Sequence, residues 1–466
     1  MKIFRALWVI CGFLFVSSNV LAQFTYSTNG SAITLISYTG SGGAVTISNF
    51  VTAIGDSAFQ GSSITSVTIP NSVTNIGNDS FDGCIALNNV VMGTNVTSIG
   101  DGAFYACFAL AGITLPPKIA SIGTYVFVGA PLTNIIIPAS VTNLGEAPFA
   151  FCSSLSNINV NAGNTAYMSA GGVLFNYNQT TLIDYPAANT ANTYVIPDSV
   201  TTIEFFAFSD CRLTNAVIGS TISSIGAGAF AGSASLTAIS VSAQNPNYSS
   251  VNGVLFNKNQ TSLVEFPSGL SGSYTIPNGV TSVELDAFEL CYYLTNVGIP
   301  NSVTTIAPYA FFASSDLSSI AIPSGVTTVG DDAFQGCSSL TSAYFQGNAP
   351  PDDGAAFAGN SGITTAYYLA GTTGWGMTFG GVPAVLWNPP IKTTKGSFGI
   401  INGQFGFTIS GPTNTPIVIQ ARTNLTSGTW SNVQSCSITN GSIYFADSAW
   451  TNYPDRFYRI SYVPLP

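Results

Sequence analysis

One phrase of about 23 residues recurs along most of this chain, and it limits the possible folds more than any other feature. The segment IPNSVTNIGNDSFDGC at 69–84 returns in similar form at 137–152, 299–314 and 322–337. Its phenylalanine occurs at Phe59, Phe81, Phe104, Phe127, Phe149, Phe208, Phe230, Phe288, Phe311, Phe334 and Phe357. The steps between these positions are 22 or 23 residues, except for two steps of 59 and 58. The chain therefore builds its fold from one repeated unit.

A second apolar position accompanies each phenylalanine, twelve residues before it. It holds Ile47, Ile69, Met92, Leu115, Ile137, Ile196, Ile218, Ile276, Ile299, Ile322 and Phe345. A fixed period of about 20 to 29 residues is typical of a leucine-rich-repeat type solenoid, whose coils share one continuous core because none can close a core alone. The repeat predicts a mostly-β solenoid of about 11 regular coils of 22–23 residues.

Three short elements are predicted within one coil. Residues 66–70 alternate apolar and polar side chains and predict a strand that Pro70 ends, since proline cannot donate a ladder hydrogen bond. Residues 72–77 predict a second, shorter strand. The NDSFDGC segment predicts a short helical turn with Phe81 and Cys84 facing inward, because residues three apart share one side of a helix.

The two long steps contain a second repeated element. The segments GVLFNYNQTTLIDYP at 172–186 and GVLFNKNQTSLVEFP at 253–267 are close copies, 81 residues apart. Each predicts an enlarged coil with an additional pair of strands. The same offset relates Phe149 to Phe230, which indicates that a block of several repeats was duplicated.

The two ends of the chain differ from the repeat. Residues 1–22 have early basic residues, an apolar stretch and a final Val-Leu-Ala, which predicts a signal peptide cleaved after Ala22, with a membrane anchor as the alternative. The solenoid with its caps is predicted over 23–387, beginning with a β-hairpin and ending in an aromatic-rich cap. A linker at 388–397 and a small all-β sandwich at 398–466 are predicted to follow.

The composition excludes several classes of function. The chain has no histidine, which rules out a Ser-His-Asp triad, a Cys-His pair and His-ligated zinc. Cleavage after Ala22 leaves 8 basic and 20 acidic residues, a net charge of −12. Because no basic run occurs, nucleic acid is not an expected partner. No later segment is long and apolar enough to predict a membrane span in the mature chain, and a monomer without a cofactor is expected.

The consensus LTSVTIP…SVTSIG…AFxGC, over roughly residues 45–360, resembles the BspA-like leucine-rich repeat of bacterial surface proteins. The segment NPNYSSVNGVLFN at 245–257 is similar to inserts of that family. The C-terminal tail, RTNL…GTW…GSIYFADSAWTNYPDRFYRIS, resembles a domain of secreted proteins from Verrucomicrobia-type bacteria. The resemblance implies a secreted or cell-surface module for binding and adhesion, and it implies no catalytic site.

Six cysteines lie three residues after a repeat phenylalanine, and a seventh stands in the tail: Cys84, Cys107, Cys152, Cys211, Cys291, Cys337 and Cys436. They could form disulfides or bind metal, or they could form a ladder of small buried side chains. The second interpretation is favoured because other coils have Ala130, Ser233 and Ser314 at this position. Cleavage after Ala22 would remove Cys11 and leave these seven, an odd number that excludes a fully paired framework, and a bond between Cys84 and Cys107 is left open.

Two further sets of side chains are candidates for chemistry. Acidic residues that could act on a glycan are Glu265, Glu284, Asp286 and Glu289, together with Glu204 and Asp184. Acid pairs that could contact calcium, although no calcium motif occurs, are Asp331-Asp332 and Asp352-Asp353. Aromatic residues that could stack on sugars are Trp375, Trp387, Trp430, Trp450 and Tyr453. A solvated surface for the acids and core packing for the aromatics are the favoured interpretations.

The sequence therefore assigns no catalytic, cofactor-binding or metal-ligating residue. It predicts an exported or cell-surface protein, not an enzyme, that recognises an extracellular protein or glycan through a solenoid face. The alternative is a carbohydrate-binding or surface-sorting tail with the solenoid as a spacer. A glycan-cleaving enzyme is a third class, and it requires carboxylates from neighbouring coils to converge in a cleft.

Overall fold

The computed structural model describes residues 23–351, 354–360, 364–387, 391–394, 396–411, 416–426, 429–439 and 441–462. They form an all-β solenoid of about 14 turns with a period of about 23 residues, followed by C-terminal antiparallel sheets. This confirms the predicted fold class. The predicted signal peptide at 1–22 and the pair Asp352-Asp353 lie outside the described residues. Within the described part, no helix has the length and apolar character needed to cross a bilayer.

Most regular coils contribute one longer and one very short strand to two sets of parallel ladders. The longer strands are Gly43–Thr46, Ile64–Thr68, Asn89–Val91, Asn134–Ile137, Asn157–Val160, Thr193–Val195, Asn215–Ile218, Ala238–Val241, Gly272–Thr275, Leu294–Gly298, Ser319–Ile322, Ser342–Phe345, Thr365–Tyr368 and Val382–Leu386. The short strands are Ala53–Ile54, Asn75–Ile76, Ser98–Ile99, Ser121–Ile122, Asn143–Leu144, Thr202–Ile203, Ser224–Ile225, Ser282–Val283, Thr305–Ile306 and Thr328–Val329.

Antiparallel strands occur at the ends of the solenoid and in the two enlarged coils. The N-terminal cap is a hairpin, as predicted, of Phe24–Asn29 and Ala32–Tyr38, and near the other end Thr378–Phe379 pairs with Val382–Leu386. The enlarged coils each contain a three-stranded antiparallel unit, which confirms the predicted additional strands. These units are Tyr167–Ala170, Val173–Asn176 and Thr181–Asp184, and Tyr248–Val251, Val254–Asn257 and Ser262–Glu265.

The segment around each repeat phenylalanine is not helical, so the predicted helical turn is wrong. The backbone takes a positive φ two residues before and two residues after the ring, as at Asp79 (51°) and Gly83 (66°) around Phe81. A helix cannot include such residues, because its backbone needs negative φ throughout. The amide of Phe81 instead donates to the carbonyl of Ala103 in the next coil, at 2.9 Å. The inward direction of Phe81 and Cys84 is confirmed, since both are fully buried.

The aromatic rings stack along the solenoid axis with centroids 4.7 to 5.7 Å apart. Two members of this stack were missed in the sequence: Tyr185 stacks on Phe208 at 5.1 Å, and Phe266 on Phe288 at 4.9 Å. They lie 23 and 22 residues before those phenylalanines, so each long step hides one regular rung. With Tyr38, which stacks on the first repeat phenylalanine, the aromatic rungs number fourteen.

The cysteines form a ladder of small buried groups, as the favoured interpretation has it. The described cysteines are free thiols, and Cys84 and Cys107 are not bonded to each other. The Cys84 thiol donates to the carbonyl of Phe59, one coil earlier, at 3.0 Å. The Ser233 hydroxyl makes the equivalent bond to Phe208 at 2.7 Å. The position therefore needs a small side chain beneath the stack; a thiol or hydroxyl there also bonds to the preceding coil, whereas Ala130 fills the space without a donor.

The tail folds as two antiparallel sheets that pack on the end of the solenoid. One sheet contains Ile391–Lys392, Phe398–Ile401, Gln404–Ser410 and Ser442–Asp447, and the other contains Pro416–Arg422, Ser431–Ser437 and Phe457–Tyr462. Buried residues of both sheets share a cluster with Leu369 and Trp387, and Tyr344 and Tyr367 pack against it. The predicted linker thus contributes one short strand, Ile391–Lys392, to the tail.

The hydroxyl of Tyr185 provides a test of the hidden rungs. This hydroxyl is buried without a hydrogen-bond partner. Every rung from Phe59 to Phe149 is a phenylalanine, so the stack does not require a hydroxyl. We expect Tyr185→Phe to raise the free energy of unfolding by about 1 kcal/mol, because it removes an unsatisfied buried hydroxyl. Tyr185→Ala is expected to lower it by about 3–5 kcal/mol through the cavity it leaves. Denaturant unfolding of the full chain measures both.

The exposed Tyr177 of the same enlarged coil is the matched control. Tyr177→Phe is expected to change the unfolding free energy by less than about 0.5 kcal/mol. A loss of stability in Tyr185→Phe would show that the hydroxyl has a partner, and a neutral Tyr185→Ala would remove Tyr185 from the stack.

Candidate functional site

The two enlarged coils are short on the side of the solenoid that carries the phenylalanine segments, which we call the turn face. There the Phe151 amide donates to the Ser209 hydroxyl at 2.9 Å, across 58 residues of sequence. At the second enlarged coil, a Cβ on Gly232 would lie 3.3 Å from Leu290 and 3.5 Å from Phe151. Coils that are not consecutive therefore touch on this face. Buried apolar residues form three separate cores, and we call the coils around each core a block. The first block precedes the first enlarged coil, the second lies between the two enlarged coils, and the third follows the second enlarged coil.

The turn faces of the three blocks converge on one groove of about 500 Å³. Its acidic lining residues are Asp286 and Glu289, and its aromatic lining residues are Tyr105, Tyr125, Phe151, Phe205, Phe206, Tyr309 and Phe312. Phe151 stacks at a tilt on Phe206, with ring centroids 5.4 Å apart, and both pack against the buried Ala150. The groove thus joins residues of the first and third blocks that lie well over a hundred positions apart in sequence.

Four of the acidic candidates are buried, Asp184 and the three acids near the groove, so the favoured solvated-surface interpretation is wrong for them. Glu265 is 1%, Asp286 7% and Glu289 8% exposed. Burial raises the pKa of Asp286 to about 7. Burial, with the nearby Asp286 charge, raises the pKa of Glu289 to about 9. Burial also raises the pKa of Glu265 well above its usual range, with smaller contributions from the other two acids.

These carboxyl groups lack compensating charge. None of the residues that line the groove, all of which the structure describes, is Lys or Arg. One carboxyl oxygen of Glu289, Oε2, has no hydrogen-bond partner, and the same holds for Oε2 of Glu265 behind the groove. A buried polar atom without a partner costs about 1–3 kcal/mol, more if charged. The groove therefore presents an unsatisfied acidic site between aromatic walls.

The remaining acidic candidates do not line this groove. Asp184 is buried in an enlarged coil, and burial raises its pKa strongly. Glu284 is half-buried, and Glu204 lines a different pocket beside the antiparallel strands of the first enlarged coil. In the described residues, no group of three or more acidic or cysteine side chains is arranged to hold a metal ion, and Asp331-Asp332 belong to no such group.

The aromatic candidates are engaged in packing. Trp375 stacks on Tyr368 at 5.1 Å in the cap, and Trp387 is buried in the cluster between solenoid and tail. In the tail, the guanidinium groups of two arginines lie 4.5 and 4.6 Å from the centre of the Trp430 ring. Arg456 covers Tyr453 at 4.1 Å, and the Trp450 indole donates to the Gly403 carbonyl.

The aromatic lining residues of the groove were missed by the sequence reasoning, although a signal was present. Tyr125, Phe206 and Tyr309 all lie two residues before a repeat phenylalanine, where other coils have Ser57, Asp79 or a glycine. Bulky aromatic residues at this outward position cluster in the middle coils. Their convergence depends on the short turn side of the enlarged coils, which the repeat pattern does not specify.

Comparison with known proteins identifies the family. The family model for the BspA type leucine-rich repeat region matches in 6 copies over residues 52–182, 184–274 and 271–376. These matches span more than half of the chain, which therefore belongs to the BspA-type leucine-rich repeat family. A search of curated proteins found no match. The resemblance of the tail to domains of other secreted proteins stays a prediction.

Several solved structures are similar to the chain. A leucine-rich repeat protein from Eubacterium ventriosum has 24% sequence identity, with 69% of this chain and 95% of that chain covered and a TM-score of 0.44. A leucine-rich cell surface protein from Faecalibacterium prausnitzii has 26% sequence identity and a TM-score of 0.39, and the match covers 71% of this chain and 94% of that chain. The pneumococcal vaccine antigen PcpA has 19% identity, covers of 75% and 86%, and a TM-score of 0.34.

The raised pKa values predict how stability depends on pH. The folded state holds protons on Asp286 and Glu289 up to pH values of about 7 and 9, whereas the unfolded state releases them near pH 4. Stability is therefore expected to fall as pH rises from 5 to 9. The variant Asp286→Asn/Glu289→Gln is expected to lose less unfolding free energy over this range, by several kcal/mol, because it lacks both groups. Unfolding free energies at pH 5, 7 and 9 measure the difference.

The matched control is Asp79→Asn/Asp82→Asn, which removes two acids from the same two positions of a more exposed coil. In this control, the unfolding free energy is expected to depend on pH as it does in the unchanged chain. Equal slopes for both variants and the unchanged chain would contradict the burial of the two groove acids.

Proposed function

We propose that this chain is an exported or cell-surface binding protein, not an enzyme, and that the groove on the turn face is its binding site for an extracellular ligand. The observation that carries the proposal is the buried, partnerless carboxyl oxygen of Glu289 among aromatic walls. Export rests on the predicted signal peptide at 1–22. The division into a solenoid over 23–387, a linker at 388–397 and a sandwich over 398–466 belongs to the same proposal.

The composition of the groove supports binding. Ligand pockets commonly enclose about 300–1,000 Å³ and combine apolar and aromatic walls with a few polar groups. Aromatic residues in a partly desolvated recess are typical of the positions that carry most binding energy in an interface. Tyr105, Tyr125 and Tyr309 are each more than one-third exposed, so their rings are accessible to a ligand.

The titration of the two acids favours binding over glycan cleavage. A glycosidase needs one carboxylate that stays ionised while a second donates a proton. Here burial raises the pKa of both Asp286 and Glu289, and no basic lining residue holds either one ionised at neutral pH. A positively charged ligand would therefore change the protonation of these two acids when it binds. The alternative site in the tail has less support, because arginine guanidinium groups already cover Trp430 and Tyr453.

A binding screen of the mature full-length chain tests the proposal against host cells, matrix proteins and glycan arrays. The groove variant is Tyr105→Ala/Tyr309→Ala, which removes an exposed ring from each of two blocks. We expect it to weaken binding of any ligand found by at least about tenfold, because aromatic anchors typically contribute more than about 1.4 kcal/mol each.

The matched control is Phe108→Ala/Tyr293→Ala, which removes two exposed rings that do not line the groove. It is expected to bind as the unchanged chain does. Equal losses in both variants would overturn the groove as the binding site. Loss of sugar binding in Trp430→Ala alone would favour the tail instead.

A further inference from the structure

We propose that the groove receives a cationic side chain of an extracellular protein, with an arginine as the best fit, and that Asp286 and Glu289 pair with its positive group. This inference deepens the proposed function and rests on it. It names the class of ligand, which neither the family nor the repeat pattern specifies.

The charge of the groove is the first argument. Asp286 and Glu289 lie on one turn segment, on either side of the inward Phe288, and both line the groove. Their surroundings supply no basic side chain, and Glu289 Oε2 accepts no hydrogen bond. A buried carboxylate without a partner is unfavourable, and pairing with a hydrogen-bonding cation offsets much of that cost. A cationic ligand supplies the missing charge and the missing donor together.

The aromatic walls are the second argument. Tyr125 of the first block lines the groove with Asp286 and Glu289 of the third block. Burial raises the pKa of Tyr125, and smaller contributions come from Glu146 and from these two acids. Burial also raises the pKa of Tyr309, with Asp286 among the smaller contributions. A cation beside the carboxyls would therefore also lie near aromatic faces, which attract it through their quadrupole. Arginine uses such a site best, since its planar group stacks on rings and donates to a carboxylate along two directions.

The tail of the same chain places an arginine beside a carboxylate and a tyrosine ring. Arg456 Nε lies 2.8 Å from Asp447 Oδ2, and the guanidinium covers the ring of Tyr453 at 4.1 Å. The Tyr458 hydroxyl donates to the same carboxylate at 2.8 Å. The groove has the carboxyls and the tyrosines of such a site and lacks only the arginine.

The duplicated block provides an internal comparison. In the earlier copy, the positions equivalent to Asp286 and Glu289 hold Phe206 and Ser209. The coil therefore folds without acids there, and duplication does not explain why they are present. Burying two acids lowers stability at neutral pH, which is consistent with a role in recognition rather than in folding.

The proton balance of binding follows from the groups that face the two acids. These are Glu265, Tyr125, Tyr292, Tyr309 and Cys291, none of which is cationic. Because the pKa of Asp286 is about 7 and that of Glu289 about 9, an incoming cation must displace protons at neutral pH. Affinity for a cation is therefore expected to rise with pH between 6 and 9. An uncharged sugar would show no such rise.

Isothermal titration of the mature full-length chain tests this with two probes, the capped peptides acetyl-Gly-Arg-Gly-amide and acetyl-Gly-citrulline-Gly-amide. Citrulline has nearly the shape of arginine without its charge. We expect the arginine peptide to bind about tenfold or more tightly than the citrulline peptide at pH 8.5, and its affinity to rise about tenfold from pH 6. Proton release, measured in buffers of different ionisation enthalpy, is expected to accompany binding.

Asp286→Asn/Glu289→Gln is expected to abolish the preference for arginine and its pH dependence. Asp79→Asn/Asp82→Asn, which removes the same number of charges at equivalent positions, is expected to keep both. Asparagine suits positions 79 and 286, where φ is 51° and 59°, because it tolerates the left-handed region. The two variants therefore separate a specific site from general attraction to an acidic protein.

Three results would overturn the inference: equal affinity for both peptides, equal effects of both double variants, or binding of a neutral oligosaccharide with no preference for arginine. If Tyr105→Ala/Tyr309→Ala nevertheless abolishes binding of the ligand found in the screen, the groove remains the binding site and only the cationic ligand is wrong. If that variant also has no effect, the proposed function fails as well.

Discussion

The stacking of one aromatic ring per coil is the interaction on which the rest of this structure depends. Neighbouring parallel strands are about 4.8 Å apart, and the rings stack at 4.7 to 5.7 Å, so ladder and stack have the same repeat distance. The positive φ on either side of most repeat phenylalanines lets the turn segment point the ring inward while its amides bond to the next coil. A small side chain such as that of Cys84 then fills the space beneath. Backbone pairing and core packing thus favour one register.

The aromatic stack resumes after each enlarged coil, and these coils change the shape of the solenoid. Tyr185 and Phe266 continue the aromatic rungs, and the additional residues form hairpins. On the turn face these coils are short, so Phe151 contacts Ser209 directly. A uniform solenoid would keep its turn segments in one row. Here, two short coils bring segments of three blocks together around one groove.

The groove illustrates a conflict between stability and recognition. Most outward positions of this chain are Ser, Thr or Asn, which remain hydrated, whereas Asp286 and Glu289 are buried beside each other without a cation. Their raised pKa values measure the cost of ionising them there. Buried polar groups without a partner lower stability, and proteins retain them mainly at sites where a ligand supplies the missing hydrogen bond or charge. The aromatic rings around them exclude water and make that completion stronger.

The sequence by itself determined the solenoid, its period, the inward phenylalanines and the two enlarged coils, because each of these is written in spacing that repeats. It did not reveal Tyr185 and Phe266 as rungs, since their neighbours differ from the repeat phrase. It also gave a helical turn at Phe81, because a spacing of three residues fits both a helix and a tight turn. Only the tertiary structure decided the groove. Tyr125 and Glu289 are distant in sequence, and they meet because two coils are short on one side.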